Sequence, residues 1–145
     1  MTLLDTNAVL ALLWGEPGEA EVAELLREGG CAIPAPCLSE VVDKLIRCDG
    51  NAPAAVAEKL APLLDEVVSV PEVDSGIAWR AGEIRAEHYD RAKAALSQVD
   101  CLLLSAAEPG DRIATSDGAL TNVAIGLGIE VIPLPNSNGR RPRVG

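Results

Sequence analysis

The chain has 145 residues and is 48% hydrophobic, which favours one domain with a substantial buried core. Only 2% of its residues are aromatic and none is Phe, so that core must consist of Leu, Val, Ile and Ala. The net charge of −10 weighs against a general nucleic-acid-binding protein, because phosphate binders usually present a basic face. No signal-peptide layout and no bilayer-length apolar run occur, so we expect a soluble, cytoplasmic protein without membrane contact.

Short apolar segments alternate with longer amphipathic ones along the chain. The short segments predict strands at residues 1–4, 31–34, 67–70, 112–115 and 130–132. The longer segments predict helices at residues 8–13, 19–28, 36–49, 53–64, 74–88, 97–107 and 119–127. This alternation predicts an α/β fold, with a central parallel sheet between two layers of helices.

The composition changes after residue 132, where Pro, Asn, Ser, Gly and Arg replace the apolar residues. Such a segment cannot bury enough apolar surface to offset the entropy of ordering it. We therefore expect a folded domain over residues 1–135 and a mobile C-terminal tail over residues 136–145.

Cysteine and histidine are too dispersed to form a structural zinc site. The four cysteines form no C-x-x-C pair, and His88 is the single histidine. We expect the cysteines to be buried thiols in a reducing compartment.

Four carboxylates stand at informative positions in this pattern. Asp5 and Asp117 each follow a predicted strand, so both belong at the same edge of a parallel sheet. Glu40 and Asp100 each lie near the start of an amphipathic helix, beside a residue of its apolar stripe. Clustered carboxylates suit hard divalent cations, and two cations ~3.5–4 Å apart can activate water and stabilise a leaving oxygen. An acidic protein can therefore still act on nucleic acid.

Each of these residues also has a purely structural interpretation. The alternatives are a helix cap at Asp5 or Thr6, an ion pair of Glu40 with Lys44, a capping box of Ser97 with Asp100, and a turn at Asp117. These interpretations do not explain why carboxylates recur at two strand ends and at two stripe borders.

Three motifs occur in a specific order: Leu4-Asp5-Thr6-Asn7, Ser39-Glu40-Val41-Val42 and Thr115-Ser116-Asp117, with Asp100 preceding the last. In this order and spacing the chain resembles the PIN-domain ribonucleases, specifically the VapC toxins of bacterial toxin–antitoxin pairs. The resemblance extends from the start of the chain to about residue 135.

The resemblance implies a Mg²⁺- or Mn²⁺-dependent nuclease that cleaves single-stranded or loop RNA. It also implies a homodimer that is neutralised by a small antitoxin whose tail enters the active site. The implied metal ligands and catalytic residues are Asp5, Glu40, Asp100 and Asp117, and Asn7 and Thr115 are implied to support these carboxylates.

Lys44 and Arg47 share a helix stripe with Glu40, which makes them candidates for contacts with RNA phosphates. A solvated helix face is an equally good interpretation. Trp14 and Trp79 can stack a base, but in a chain without Phe we favour the core or an interface for both.

Two other functions stay open. A strand-end Asp followed by Thr also begins the haloacid-dehalogenase-type phosphatases, but these need a second Asp where this chain has Asn7. The other alternative is a PIN-like module that binds RNA or a partner without cleaving.

Overall fold

The computed structural model describes all 145 residues and contains a four-stranded parallel sheet with seven helices. The strands are β1 (Thr2–Leu4), β2 (Cys31–Ala32), β3 (Arg112–Thr115) and β4 (Glu130–Pro133). The helices are α1 (Thr6–Trp14), α2 (Glu19–Glu28), α3 (Ala35–Arg47), α4 (Pro53–Glu66), α5 (Ser75–His88), α6 (Gln98–Ala106) and α7 (Gly118–Gly126). The predicted α/β class is confirmed.

The strands lie in the order β2-β1-β3-β4, and every neighbouring pair is parallel. The chain leaves β1 toward β2 and later returns to the other side of β1 to form β3. The direction of winding therefore reverses between β1 and β3. In open α/β sheets this reversal opens a crevice at the carboxyl ends of the two strands, where ligands bind.

The core is aliphatic, as the composition predicts. β1 is buried along its length and β3 over its last three residues, which is typical of a parallel sheet covered on both faces. Neither tryptophan lies in the core, because Trp14 is 39% exposed and Trp79 is 75% exposed, and the expected interface position stays a prediction. Leu, Val and Ile fill the space that aromatic rings take in other cores.

Two predicted strands are shorter than expected. β2 ends at Ala32 because Pro34, which has no N–H to donate to a sheet, occupies the N-cap of α3. The predicted strand over residues 67–70 is reduced to a single bridge between Ser69 and Ala32, since α4 continues to Glu66. The edge of the sheet beside β2 therefore carries one bridge in place of a fifth strand.

Three of the four cysteines are buried as expected. Cys48 is the exception, because it follows the last turn of α3 and is exposed to solvent. The expectation of a buried thiol is wrong at this position.

The C-terminal segment folds back onto the domain. Leu134 is buried, and the Asn136 side chain accepts hydrogen bonds from the backbone N–H groups of Asn138 and Arg140. Arg141 donates to the carboxylate of Glu21 on α2 and to the carbonyl of residue 133. These contacts place the segment beside α2, while its predicted mobility stays a prediction.

None of the seven helices has the length and apolar character needed to cross a membrane.

Replacing Ile113 in the central strand by Ala should lower the free energy of unfolding by about 2–5 kcal/mol, because this side chain is fully buried. The matched control is Ile125→Ala on α7, where the side chain is 43% exposed and the loss should stay below about 1 kcal/mol. Urea unfolding followed by circular dichroism measures both. Equal losses in the two variants would contradict the described core.

Candidate metal centre

Asp5 and Asp117 lie at the same edge of the sheet. Asp5 follows the last residue of β1, and Asp117 comes two residues after the end of β3. The two strands are hydrogen-bonded neighbours, with Leu4 of β1 in register with Ala114 of β3. Asp5 and Asp117 therefore both lie at the carboxyl ends of β1 and β3, where the winding of the sheet reverses.

The carboxylate of Asp5 is buried and hydrogen-bonded on both oxygens. The side chain is 3% exposed, and its Oδ1 accepts the backbone N–H of Thr6 at 2.8 Å. Its Oδ2 accepts the hydroxyl of Thr115 at 2.7 Å, and the same hydroxyl oxygen accepts the backbone N–H of Asp117 at 3.0 Å. One threonine thus connects the ends of β1 and β3. This is the contact expected of a residue that supports the acidic site.

Asp100 forms the capping box of α6, so the structural interpretation of this residue is correct. Its Oδ2 accepts the backbone N–H of Ser97 at 2.8 Å, while the Ser97 hydroxyl accepts the N–H of Asp100 at 3.0 Å. Oδ1 of Asp100 takes no part in this pair. The cap thus fixes the orientation of the carboxylate and leaves one oxygen available.

Asp117 has the same dual character at the start of α7. It is the N-cap residue, and its Oδ1 accepts the backbone N–H of Leu120 at 2.8 Å. Glu40 lies one turn into α3, half-buried, and it does not pair with Lys44. Helices α1 and α6 both pack against α3, which brings Glu40 toward the same edge.

The pKa values of the carboxylates show that they lie within one another's electrostatic reach. Burial raises the pKa of Asp5 to about 7, with smaller contributions from Asp100 and Asp117, against hydrogen bonds from Thr115 and Thr6. Burial also raises the pKa of Asp100, and the charges of Asp117 and Glu40 act in the same direction. Asp5 and Asp100 therefore each lie within electrostatic reach of two other acidic side chains.

The carboxylates do not close into a finished coordination shell. No three acidic, histidine or cysteine side chains converge closely enough to hold a metal ion as they stand. Like charges favour separation until a cation neutralises them. The structure thus brings the predicted residues to one edge of the sheet without forming a compact set of ligands.

Two further side chains, which the sequence did not identify as members of the acidic site, are buried beside Asp5. The hydroxyl of Thr6 is buried without a hydrogen-bond partner. The thiol of Cys37, on α3, is buried, and burial together with the charges of Asp5 and Glu40 raises its pKa. The sequence signal for Thr6 was its place in the first acidic motif. An unsatisfied hydroxyl and a buried carboxylate together fit a site that takes a hydrated divalent cation.

The remaining predicted residues make no hydrogen bond or ion pair with the four carboxylates. Asn7 is exposed and makes no hydrogen bond to any of them. Lys44 is half-buried on α3, while Arg47 is exposed and bonds to Asp43 at 2.9 Å. A supporting role for Asn7 and an RNA-binding role for Lys44 and Arg47 stay predictions.

Solved structures with a similar fold come from toxin–antitoxin systems. VapC20 of Mycobacterium tuberculosis, described as a sarcin–ricin loop cleaving toxin, superposes with a TM-score of 0.68 at 22% identity, covering 84% of this chain and 94% of that one. A toxin–antitoxin complex from Klebsiella pneumoniae superposes with a TM-score of 0.63 at 19% identity, covering 91% of this chain and 96% of that one. VapBC2 from Rickettsia felis, bound to promoter DNA, superposes with a TM-score of 0.66 at 15% identity, covering 90% of this chain and 96% of that one. At these identities the similarity establishes the fold.

No curated protein sequence matches the chain significantly. The sequence profile described as "PIN domain" matches residues 2–126, a span that contains all four carboxylates of the candidate metal centre. The chain therefore belongs to the PIN-domain family.

Proposed function

We propose that the protein is a divalent-metal-dependent endoribonuclease and the toxin of a toxin–antitoxin pair. The observation that carries this proposal is the buried carboxylate of Asp5 at the sheet reversal, coupled to Asp100 and Asp117. A buried negative charge among other negative charges is unfavourable unless a cation is close by. Family membership and the similarity to a toxin described as cleaving the sarcin–ricin loop support the nuclease assignment.

Asp5, Glu40, Asp100 and Asp117 would hold Mg²⁺ or Mn²⁺, since hard cations prefer oxygen ligands. The chemistry that such a cation supplies is activation of water and stabilisation of the oxygen that leaves phosphorus. In this proposal the products carry a 5′-phosphate and a 3′-hydroxyl.

The chain's own contribution is orientation of its carboxylates. Thr115 and the N–H of Thr6 hold Asp5, the N–H of Ser97 holds Asp100, and the N–H of Leu120 holds Asp117. Each hydrogen bond fixes one rotamer before any ligand arrives, which lowers the entropy cost of assembling the site. The N-termini of α1, α6 and α7 also direct partial positive charge toward this edge.

The substrate in this proposal is single-stranded or loop RNA, which the resemblance implies and which agrees with a structurally similar toxin described as cleaving the sarcin–ricin loop. Lys44 has no carboxylate within ion-pair distance, whereas Arg47 is engaged by Asp43. Lys44 is therefore the stronger candidate for a phosphate contact from α3. The bound cation compensates locally for the acidic composition of the chain.

An antitoxin and a second copy of the chain are the proposed protein partners. Support comes from solved complexes of similar fold, including the toxin–antitoxin complex from Klebsiella pneumoniae. Co-purification from the native host followed by mass spectrometry and light scattering would show both partners directly.

The two rival functions have less support. PIN-domain membership and Asn7 at the position of the second phosphatase Asp count against a phosphatase. A non-cleaving module would not need four coupled carboxylates, and the absence of Mn²⁺ binding in calorimetry would favour it.

Replacing Asp5 by Asn should reduce Mn²⁺-dependent cleavage of single-stranded RNA by at least about a hundredfold, because a charged metal ligand is lost. The fold should survive, since Asn fits the same space without a buried charge. Asp65→Asn on the exposed face of α4 is the matched control and should cleave at the parent rate. A fully active Asp5→Asn variant would contradict the site assignment.

Replacing Thr115 by Val should lower the free energy of unfolding by about 1–3 kcal/mol, because Oδ2 of Asp5 and the N–H of Asp117 lose their partner. Mn²⁺ affinity measured by calorimetry should fall about 10- to 100-fold. Thr115→Ser keeps the hydroxyl and should restore most of both quantities. Failure of the Ser variant to differ from the Val variant would show that the hydroxyl has no orienting role.

The contribution of Asp5 to the stability of the metal-free protein should fall as pH rises from about 4 to about 7. The folded state raises the pKa of Asp5 from 3.8 to about 7, so it binds a proton that the unfolded chain has already released. The contribution of Asp5 is full below pH 4 and is lost through pH 7, a change of at most about 4 kcal/mol. Urea unfolding in EDTA at several pH values measures this contribution. The free energy of unfolding should depend less steeply on pH in Asp5→Asn than in the parent, and an equal pH dependence would refute the raised pKa of Asp5.

A further inference from the structure

A second polar cavity opens beside the candidate metal centre, and the proposed mechanism does not use it. We call it the Trp14 pocket. Its volume is about 250 Å³, and its lining includes Asn7, Trp14, Glu16, Ser116, Asn136 and Ser137. Asn7 lies two residues after Asp5, and Ser116 lies between Thr115 and Asp117. A nucleotide whose phosphate reaches the carboxylates can therefore place a neighbouring base in this pocket.

The indole of Trp14 is held as a fixed platform on one side of the Trp14 pocket. It stands at the end of α1, and its Nε1 donates to Oδ2 of Asp49 at 2.6 Å. Because the indole N–H already has a partner, the part of the ring that lines the pocket has no free hydrogen-bonding group. Stacking on a preplaced aromatic ring is a common way for proteins to bind unpaired bases.

The C-terminal segment forms another wall of the Trp14 pocket. Buried Leu134 and the ion pair of Arg141 with Glu21 anchor the segment on both sides of Asn136 and Ser137. Gly18 lies against the backbone of residue 135, since a Cβ at this position would be 3.4 Å from that carbonyl oxygen. The wall is thus built by several independent contacts on either side of the lining residues.

The polar groups of the Trp14 pocket select for hydrogen-bond donors. Glu16 is half-buried in the lining, and its carboxylate has no hydrogen-bond or ion-pair partner in the chain. A carboxylate repels phosphate and the carbonyl edge of a pyrimidine such as uracil, and it accepts two parallel N–H bonds well. Guanine presents two adjacent N–H donors on its Watson–Crick edge, which match the two oxygens of Glu16.

We propose that the Trp14 pocket binds one guanine base of the RNA adjacent to the cleaved phosphodiester. The ring of Trp14 stacks on the base, and Glu16 accepts its N–H groups. The amide of Asn7, which has no hydrogen-bond partner in the chain, belongs to the lining and lies two residues after Asp5. The volume lies below the ~300–1,000 Å³ of ordinary small-molecule sites, which suits a single base. This inference rests on the proposed nuclease function.

Fluorescence of Trp14 measures base binding without cleavage. The chain has two tryptophans, so Trp79→Phe leaves Trp14 as the single reporter. Titration of this metal-free variant with guanosine monophosphate should give saturable quenching, with uridine monophosphate at least about tenfold weaker. Adding Glu16→Gln to this variant should weaken its binding of guanosine monophosphate about tenfold. Trp14→Phe, which keeps Trp79, is the matched control and should show no saturable quenching.

Cleavage with Mn²⁺ tests the same pocket on RNA. The substrates are oligonucleotides that differ only in the base next to the cut, assayed with the parent, Trp14→Ala, Glu16→Gln and the control Trp79→Ala. For the guanine substrate, Trp14→Ala should lower kcat/KM about ten- to a hundredfold. Both Trp14→Ala and Glu16→Gln should reduce the difference in kcat/KM between the guanine substrate and the others. Trp79→Ala should behave as the parent.

The two assays separate the two proposals. Quenching by guanosine monophosphate without cleavage of any RNA would overturn the nuclease and leave the pocket assignment standing. Cleavage without quenching, or a base preference that neither pocket variant alters, would overturn the guanine pocket. Circular dichroism of each variant establishes folding, and the isosteric Glu16→Gln variant serves if Trp14→Ala does not fold.

Discussion

The hydrogen bond between Asp5 and Thr115 connects the two central strands at the point where the sheet reverses. It holds a carboxylate in the interior, where its charged form is poorly solvated and where Asp100 and Asp117 add repulsion. Two hydrogen bonds compensate only part of this cost, so the pKa of Asp5 remains near neutrality. In the proposed function, a divalent cation at this edge would compensate the remaining cost.

Helix capping and metal binding are compatible uses of the same residues. Asp5 and Asp117 are the N-cap residues of α1 and α7, and Asp100 lies in the first turn of α6. Three helix N-termini therefore point toward one edge of the sheet. N-terminal N–H groups favour negative charge and fix carboxylate rotamers. The structural interpretations are thus correct for the cap at Asp5 and the capping box at Asp100, whereas Asp117 caps α7 in place of the turn expected there. In the proposed function these caps position the carboxylates.

Much of the fold was predictable because apolar spacing is a local property. The apolar stripe of α3 and the aliphatic strands β1 and β3 follow from single stretches of chain. The segment at residues 67–70 has the composition of a strand but forms one bridge, since its pairing depends on how far α4 continues. The unpartnered Thr6 hydroxyl and the Trp14 pocket arise from contacts between distant segments, which no local pattern contains.

The central claim is that the interior carboxyl of Asp5 would release its proton to the solvent when a divalent cation binds near neutral pH. Calorimetric titration with Mn²⁺ at pH 6, in buffers of different ionisation enthalpy, counts the protons released on binding. The account predicts release approaching about one proton per bound ion at pH 6, falling toward zero above pH 8. Binding without proton release at pH 6, or no binding at either pH, would contradict it.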